Sequence, residues 1–127
     1  MTDRAAVASW VEQYERAWRT AGTEPLAALF TDDATYSMEP YEVPARGLDA
    51  IGARWEEERA GADEAFTMRW EFVAVEGATA VVHVEVAYPD KQLEFRDLWV
   101  LEFAPDGRCR SFAEWPFWPD KGHGRYR

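Results

Sequence analysis

Residues 66–103 read FTMRWEFVAVEGATAVVHVEVAYPDKQLEFRDLWVLEF, and the period of two in this stretch decides the fold. Phe66, Met68, Trp70 and Phe72 alternate with Thr67, Arg69, Glu71 and Val73, which predicts a strand with one dry face. Glu76-Gly77 turns the chain, Thr79 to Tyr88 is the next predicted strand, and Pro89-Asp90-Lys91 turns it again. Phe95, Asp97, Trp99, Leu101 and Phe103 then share one strand face, while Arg96, Leu98, Val100 and Glu102 share the other. After a tight turn at Pro105-Asp106-Gly107, a last strand is predicted from Arg108 to Trp115. Short turns between long strands mean antiparallel hairpins.

Upstream of residue 62 the period is helical. Val7, Trp10, Val11, Tyr14, Ala17 and Trp18 recur at spacings of three and four, so a helix is predicted from Asp3 to Ala21, ended by Gly22. Thr23-Glu24-Pro25 restarts a short helix that buries Leu26, Leu29 and Phe30. Thr31-Asp32-Asp33 is read as a turn and Ala34 to Met38 as a short strand. Pro40 and Pro44 exclude regular helix between them. A third helix is expected from Leu48 to Ala60, with Leu48, Ile51 and Trp55 inward. Helices first and a strand meander second give an α+β class. A single domain is expected over residues 1–118, followed by a loose tail over 119–127 in which His123 is solvated.

The chain has 127 residues, enough to bury roughly two thirds of its surface without a disulfide. Aromatic residues make up 15% of it, more than a plain core needs, which suggests a large internal surface lined with rings. Its one cysteine, Cys109, excludes an intramolecular disulfide, and a reducing cytoplasm fits. The net charge of −10 argues against nucleic acid or an anionic membrane as partner, since both require a positive face. No run approaches the ~18 apolar residues of a membrane span. No His, Asp or Glu set has metal-ligand spacing, and there is no glycine-rich phosphate loop, so neither metal nor cofactor is expected.

The segment Leu29-Phe30-Thr31-Asp32-Asp33-Ala34-Thr35-Tyr36, followed by Gly47-Leu48-Asp49-Ala50-Ile51, resembles the nuclear transport factor 2-like superfamily and its SnoaL-like domains. Tyr14, Trp18 and Gly22 upstream, and Asp106-Gly107-Arg108 with Phe112-Ala113-Glu114-Trp115 downstream, belong to the same pattern. The resemblance implies a cone: a curved antiparallel sheet and three N-terminal helices enclosing an apolar pocket, in a protein that is commonly a homodimer. The family includes isomerases, epoxide hydrolases, polyketide cyclases, dehydratases and non-catalytic modules, so the fold alone does not choose among them. Against the ketosteroid isomerases, Tyr14 matches a tyrosine on the first helix. Their aspartate base corresponds to Glu39 if the loop is aligned on Pro40, and to Met38 if it is aligned by length. Their protonated aspartate falls near Trp99, one pleat repeat from Asp97, so the isomerase triad is not reproduced.

Asp97 carries the most information. Its strand-face companions are large and apolar, so its carboxyl must be paired, neutralised or functional. One alternative is a salt bridge with Arg69 or Arg110; the other is a pocket acid or base. Glu114 shares a face with Phe112 on the last strand, and a hairpin across Pro105-Asp106-Gly107 would set it beside Asp97. Two carboxyls in one apolar cavity give an acid and a base from like residues. Tyr14 is either a core tyrosine or a hydrogen-bond donor to a developing oxyanion. His83, alternating with valines, is read as facing the outer or dimer side. The expected catalytic set is therefore Asp97, Glu114, Tyr14 and Glu39. Trp18, Tyr36, Met38, Trp55, Trp70, Trp99 and Phe112 are expected to line a pocket for a small hydrophobic ligand. A cofactor-free enzyme of general acid/base type is the first expectation, and a non-catalytic binding or dimerisation module of the same fold is the alternative.

Overall fold

The computed structural model describes residues 2–119. Of the expected tail, only Pro119 is among them; the rest, with His123, lies outside the described residues. Helix α1 spans Arg4–Trp18, and its first turn is closed by the Asp3 carboxylate, which accepts from the Ala6 amide at 2.8 Å. It ends three residues before the expected boundary, because the Arg59 guanidinium takes up carbonyls at and beyond its C-terminus. Helix α2 is Leu26–Leu29, with Pro25 just outside it as N-cap, and α3 is Leu48–Glu58.

The strands are β1 Phe30–Ser37, β2 Ala45–Arg46, β3 Thr67–Glu76, β4 Thr79–Tyr88, β5 Leu93–Phe103 and β6 Cys109–Phe117. They form one sheet in the order β2-β1-β6-β5-β4-β3. The meander β3 to β6 is antiparallel throughout, as the period-two pattern requires. Gly77 and Gly107 take φ of 58° and 90° in its turns, a left-handed backbone that a side chain would oppose.

Two expectations need correction. Thr31-Asp32-Asp33 is not a turn but part of β1, an irregular extended stretch between the register pairs Phe30–Cys109 and Thr35–Ser111. That pairing, β1 with β6, is parallel, so the sheet is mixed rather than wholly antiparallel. The connection from β1 to β6 runs through α3 and the whole meander, which leaves room for the crossover that parallel neighbours need.

The sheet curves without closing, and its ladder is interrupted at Val73 and at Arg110, where one strand carries an extra residue. The second interruption falls before Phe112, so Phe112 and Glu114 stay on the face that carries Asp97, Trp99 and Leu101. Helix α1 lies across this inner face. Trp10 packs edge-on against Phe30 and Phe103, and its indole N–H donates to the Leu29 carbonyl at 2.9 Å. Val7, Val11, Ile51, Val82 and Leu101 are fully buried around it.

Candidate functional site

The cavity of interest has a volume of about 480 Å³ and opens where α1, β1 and the ends of the meander strands come together. Tyr14 and Trp18 of α1, Tyr36 and Met38 from β1 and its exit, and Asp97 and Glu114 of the β5–β6 hairpin all line it. Each is placed by a pattern readable in the chain: helical spacing for the first pair, strand alternation for the others. Phe66, Tyr88, Phe95 and Trp118 complete an aromatic wall.

At the inner end, two polar pairs meet. The hydroxyls of Tyr14 and Tyr36 are 3.3 Å apart and buried. Burial raises both well above the ordinary phenol range; the neighbouring Tyr36 adds to the shift of Tyr14, and the charge of Glu114 to that of Tyr36. Asp97, 6% exposed, accepts from the Trp99 indole N–H at 3.4 Å. Glu114 is half-buried beside it and lines the cavity. Burial first, then a hydrogen bond to Asp97 and that residue's negative charge, hold the Glu114 carboxyl well above the usual carboxylate range, while the Trp99 indole acts in the opposite sense. Like-charged carboxyls in contact cannot both ionise cheaply, so the pair retains a proton where isolated carboxyls have lost theirs.

Arg69 and Arg110, the partners weighed for Asp97, lie on the opposite sheet face. Arg69 is bonded to Glu85, and Arg110 stands 3.8 Å from Glu102. His83 is exposed on that outer face, 3.6 Å from Glu71. A groove of about 800 Å³ there is lined by Arg69, Glu71, His83, Glu85 and Arg96, where Glu85 pairs with both Arg69 and Arg96.

The remaining expected residues divide. Glu39 lines the cavity, but from its exposed rim rather than beside the carboxyl pair. Trp55, Trp99 and Phe112 are buried behind the wall, because α1 covers them: the Tyr14 ring stacks on Phe112 and meets Trp99 edge-on, and Trp18 meets Trp55 at 4.7 Å. Trp70 packs on Phe72 further along the sheet, outside the cavity. The sequence reading missed Glu58, Glu64, Tyr88 and Lys91 in the lining. Tyr88 ends β4 and Lys91 lies in the turn Pro89–Lys91, where alternation gives no facing. Glu58 closes the run Glu56-Glu57-Glu58, which by sequence reads as a solvated helix face. Among the described residues, no group of three or more His, Cys, Asp and Glu could hold a metal ion, and no helix is long and apolar enough to cross a membrane.

The SnoaL-like domain family matches residues 11–112, a span that runs from the second half of α1 into the first half of β6. The chain belongs to this family. Among solved structures, the SnoaL-like chain is similar to a protein of Kribbella flavida classed as a ketosteroid isomerase, at 21% identity and a TM-score of 0.68, covering 100% of this chain and 87% of that one. An NTF-2-like protein of unknown function from Burkholderia xenovorans gives 14% identity and a TM-score of 0.71, over 94% and 89% of the two chains. The epoxide hydrolase/cyclase-like enzyme SalBIII, which has a role in pyran ring formation in salinomycin, gives 17% identity and a TM-score of 0.71 over 94% and 95%. At these identities the likeness is one of fold. No curated protein matches the sequence.

Proposed function

We propose that the protein is a cofactor-free enzyme that carries out general acid/base chemistry on a small hydrophobic molecule: isomerisation, cyclisation, dehydration or hydrolysis. The observation that carries this reading is the contact between the Asp97 and Glu114 carboxyls at the inner end of an aromatic cavity, with the raised proton affinity of Glu114. A carboxyl that holds its proton above the usual carboxylate range can give it to a ligand oxygen, and the neighbouring carboxylate can take one from carbon or from water. The two transfers leave the pair with the proton count it began with. The Tyr14–Tyr36 hydroxyl pair, facing the same space, supplies hydrogen bonds that polarise the oxygen. A cavity of about 480 Å³ is of the size that encloses a small molecule. Family membership and the isomerase- and cyclase-type neighbours are compatible with this class of chemistry. The cytoplasm, with its reducing conditions, suits a protein whose one cysteine is a free thiol.

One observation favours the non-catalytic alternative. Glu39, the position that matches the isomerase base when the loop is aligned on Pro40, is exposed at the rim. A turnover assay over small hydrophobic enones, epoxides and hydroxy compounds separates the readings. Conversion that Asp97→Asn and Glu114→Gln each reduce by ~10²-fold or more is the enzymatic result. Tight binding of the same compounds, unchanged over long incubation, is the result for a binding module.

A homodimer joined through the outer sheet face is part of the same proposal. Val81, Val100 and Ala113 are register partners across β4, β5 and β6, and His83, Leu98 and Trp115 form the next row. A meander with one wet face alternates apolar and polar residues; here apolar rows occupy both faces, as in a sheet covered on both sides. A second copy offers the matching surface by symmetry.

A further inference from the structure

The cavity that the proposed function uses is lined by six carboxyl groups, those of Glu39, Glu42, Glu58, Glu64, Asp97 and Glu114. Lys91 is the one cationic side chain in that lining among the described residues. Two of the acids are balanced: Glu42 by Arg54 at 2.8 Å and Glu64 by Lys91 at 2.6 Å. Glu39 and Glu58 form no salt bridge among the described residues, and Glu58 shares only the longer-range field of Arg54. The field of Glu58 reaches inward, for Glu58 is among the charges that disfavour ionisation of Tyr36 and Glu114, with Arg54 acting against it at Tyr36. Burial and the charge of Glu64 push Tyr88 up to about 12. An anion entering this space meets repulsion, and a neutral molecule gains nothing from the field. A cation is drawn in.

Acidic surfaces are usually just solvated; the walls make this one different. Tyr14, Trp18, Tyr36, Phe66, Tyr88 and Trp118 line the same cavity as the acids, and aromatic rings attract cations through their quadrupole, most strongly where water is excluded. The chain's own cations already occupy such positions. The Arg19 guanidinium lies 3.7 Å from the Phe66 ring centre. The Lys91 ammonium sits 5.6 Å from the Tyr88 ring centre while bonded to Glu64. Lys91 thus shows, at the cavity wall, an ammonium held between a ring and a carboxylate.

From the rim charge and the ring-lined walls together, we infer that the ligand of this cavity is a hydrophobic cation, an amine or quaternary ammonium compound whose charged group sits at the mouth near Glu58 and Glu39. The inference rests on the cavity being the ligand site. Its apolar body reaches inward, and the function to be transformed lies against the Asp97–Glu114 pair. Specificity then has two parts: charge read at the rim and proton transfer at the inner end.

The test is a titration of the full-length protein, followed by tryptophan fluorescence, with three probes of one size: benzyltrimethylammonium, its carbon isostere neopentylbenzene, and 3-phenylpropionate. Trp18 and Trp118 in the lining report occupancy. The cation is expected to bind about tenfold or more tightly than the neutral isostere, and the anion more weakly than either. Glu39→Gln combined with Glu58→Gln is expected to remove most of that preference, while Glu12→Gln with Glu76→Gln, an equal change in net charge outside the lining, leaves it intact. Neopentylbenzene binding as well as the cation would overturn the inference and leave the cavity as a ligand site. An equal loss of preference in both double variants would overturn it too, since net charge alone would then explain the effect. Failure of all three probes to bind would overturn it together with the small-molecule reading beneath it.

Discussion

The carboxyl groups of Glu114 and Asp97 meet across the β5–β6 hairpin although they are not register partners: Glu114 stands opposite Trp99, and Asp97 stands opposite Pro116. They are diagonal neighbours on one face, a separation that a glutamate can bridge where two aspartates could not. Proline at 116 brings no polar side chain to the position opposite Asp97. The indole of Trp99 lies between the two and donates to Asp97.

Stability should depend on pH through Glu114. Its folded proton affinity is raised, so above ~4.3 the unfolded chain has released a proton that the folded chain keeps. The stabilising contribution is complete below that pH and is lost as pH rises through the folded value. Glu114→Gln mimics the protonated form without the later ionisation. It is expected to raise the melting temperature at pH 8 by on the order of a few degrees and to lose the advantage near pH 4. Thermal melts at both pH values check this.

Asp97→Asn keeps the shape of the side chain and removes the charge. With any compound that the protein transforms, turnover is expected to fall by ~10²-fold or more while the circular dichroism spectrum is retained. The same change should lower the proton affinity of Glu114 in part: burial, the larger cause of its rise, stays, while the hydrogen bond and charge of the Asp97 carboxylate are lost. The alkaline limb of residual activity, set by ionisation of Glu114 as the proton donor, should therefore move to lower pH.

Arg59 is the buried cation that holds the helical layer together. Its side chain is 3% exposed and donates to the carbonyls of Ala17, Trp18, Thr20 and Gly22 as well as to Glu56. Arg59→Met would leave those carbonyls short of donors, and a loss of about 3 kcal/mol is expected in urea unfolding. Because these carbonyls lie at the end of α1, ligand affinity should weaken along with stability.

The apolar rows on the outer face lead to an expectation about assembly. Light scattering at high micromolar concentration should return a dimer mass, and Leu98→Arg or Trp115→Arg should return a monomer. Both side chains point away from the Asp97 face, so the monomeric variants should keep ligand binding. A monomer mass for the unaltered protein would contradict the proposed dimer.

The legibility of the sequence followed the range of the interactions. Alternation at Phe95 to Phe103 put Asp97 indoors correctly, because the period of a strand is a local property. Bulges are less local: only the structure shows that the extra residue at Arg110 precedes Phe112 and so keeps Glu114 on the same face. The parallel pairing of β1 with β6 was hidden for a related reason, since it joins segments far apart in the chain and no turn announces it. The pocket walls were half legible. Tyr14, Trp18 and Tyr36 were found by their faces, but the same rule placed Trp55, Trp99 and Phe112 in the lining, where α1 in fact covers them. An inward face identifies burial, and only the packing of the helix over the sheet separates cavity from core.

The most direct measurement is a carboxyl carbon-13 NMR titration of Glu114, assigned by its disappearance in Glu114→Gln and repeated in Asp97→Asn. The expected result is a midpoint well above the ordinary glutamate range in the unaltered protein, falling when Asp97 is replaced. A midpoint near ~4.3 that ignores the replacement would show two independent carboxylates, and would contradict the acid/base pair on which the proposed chemistry depends.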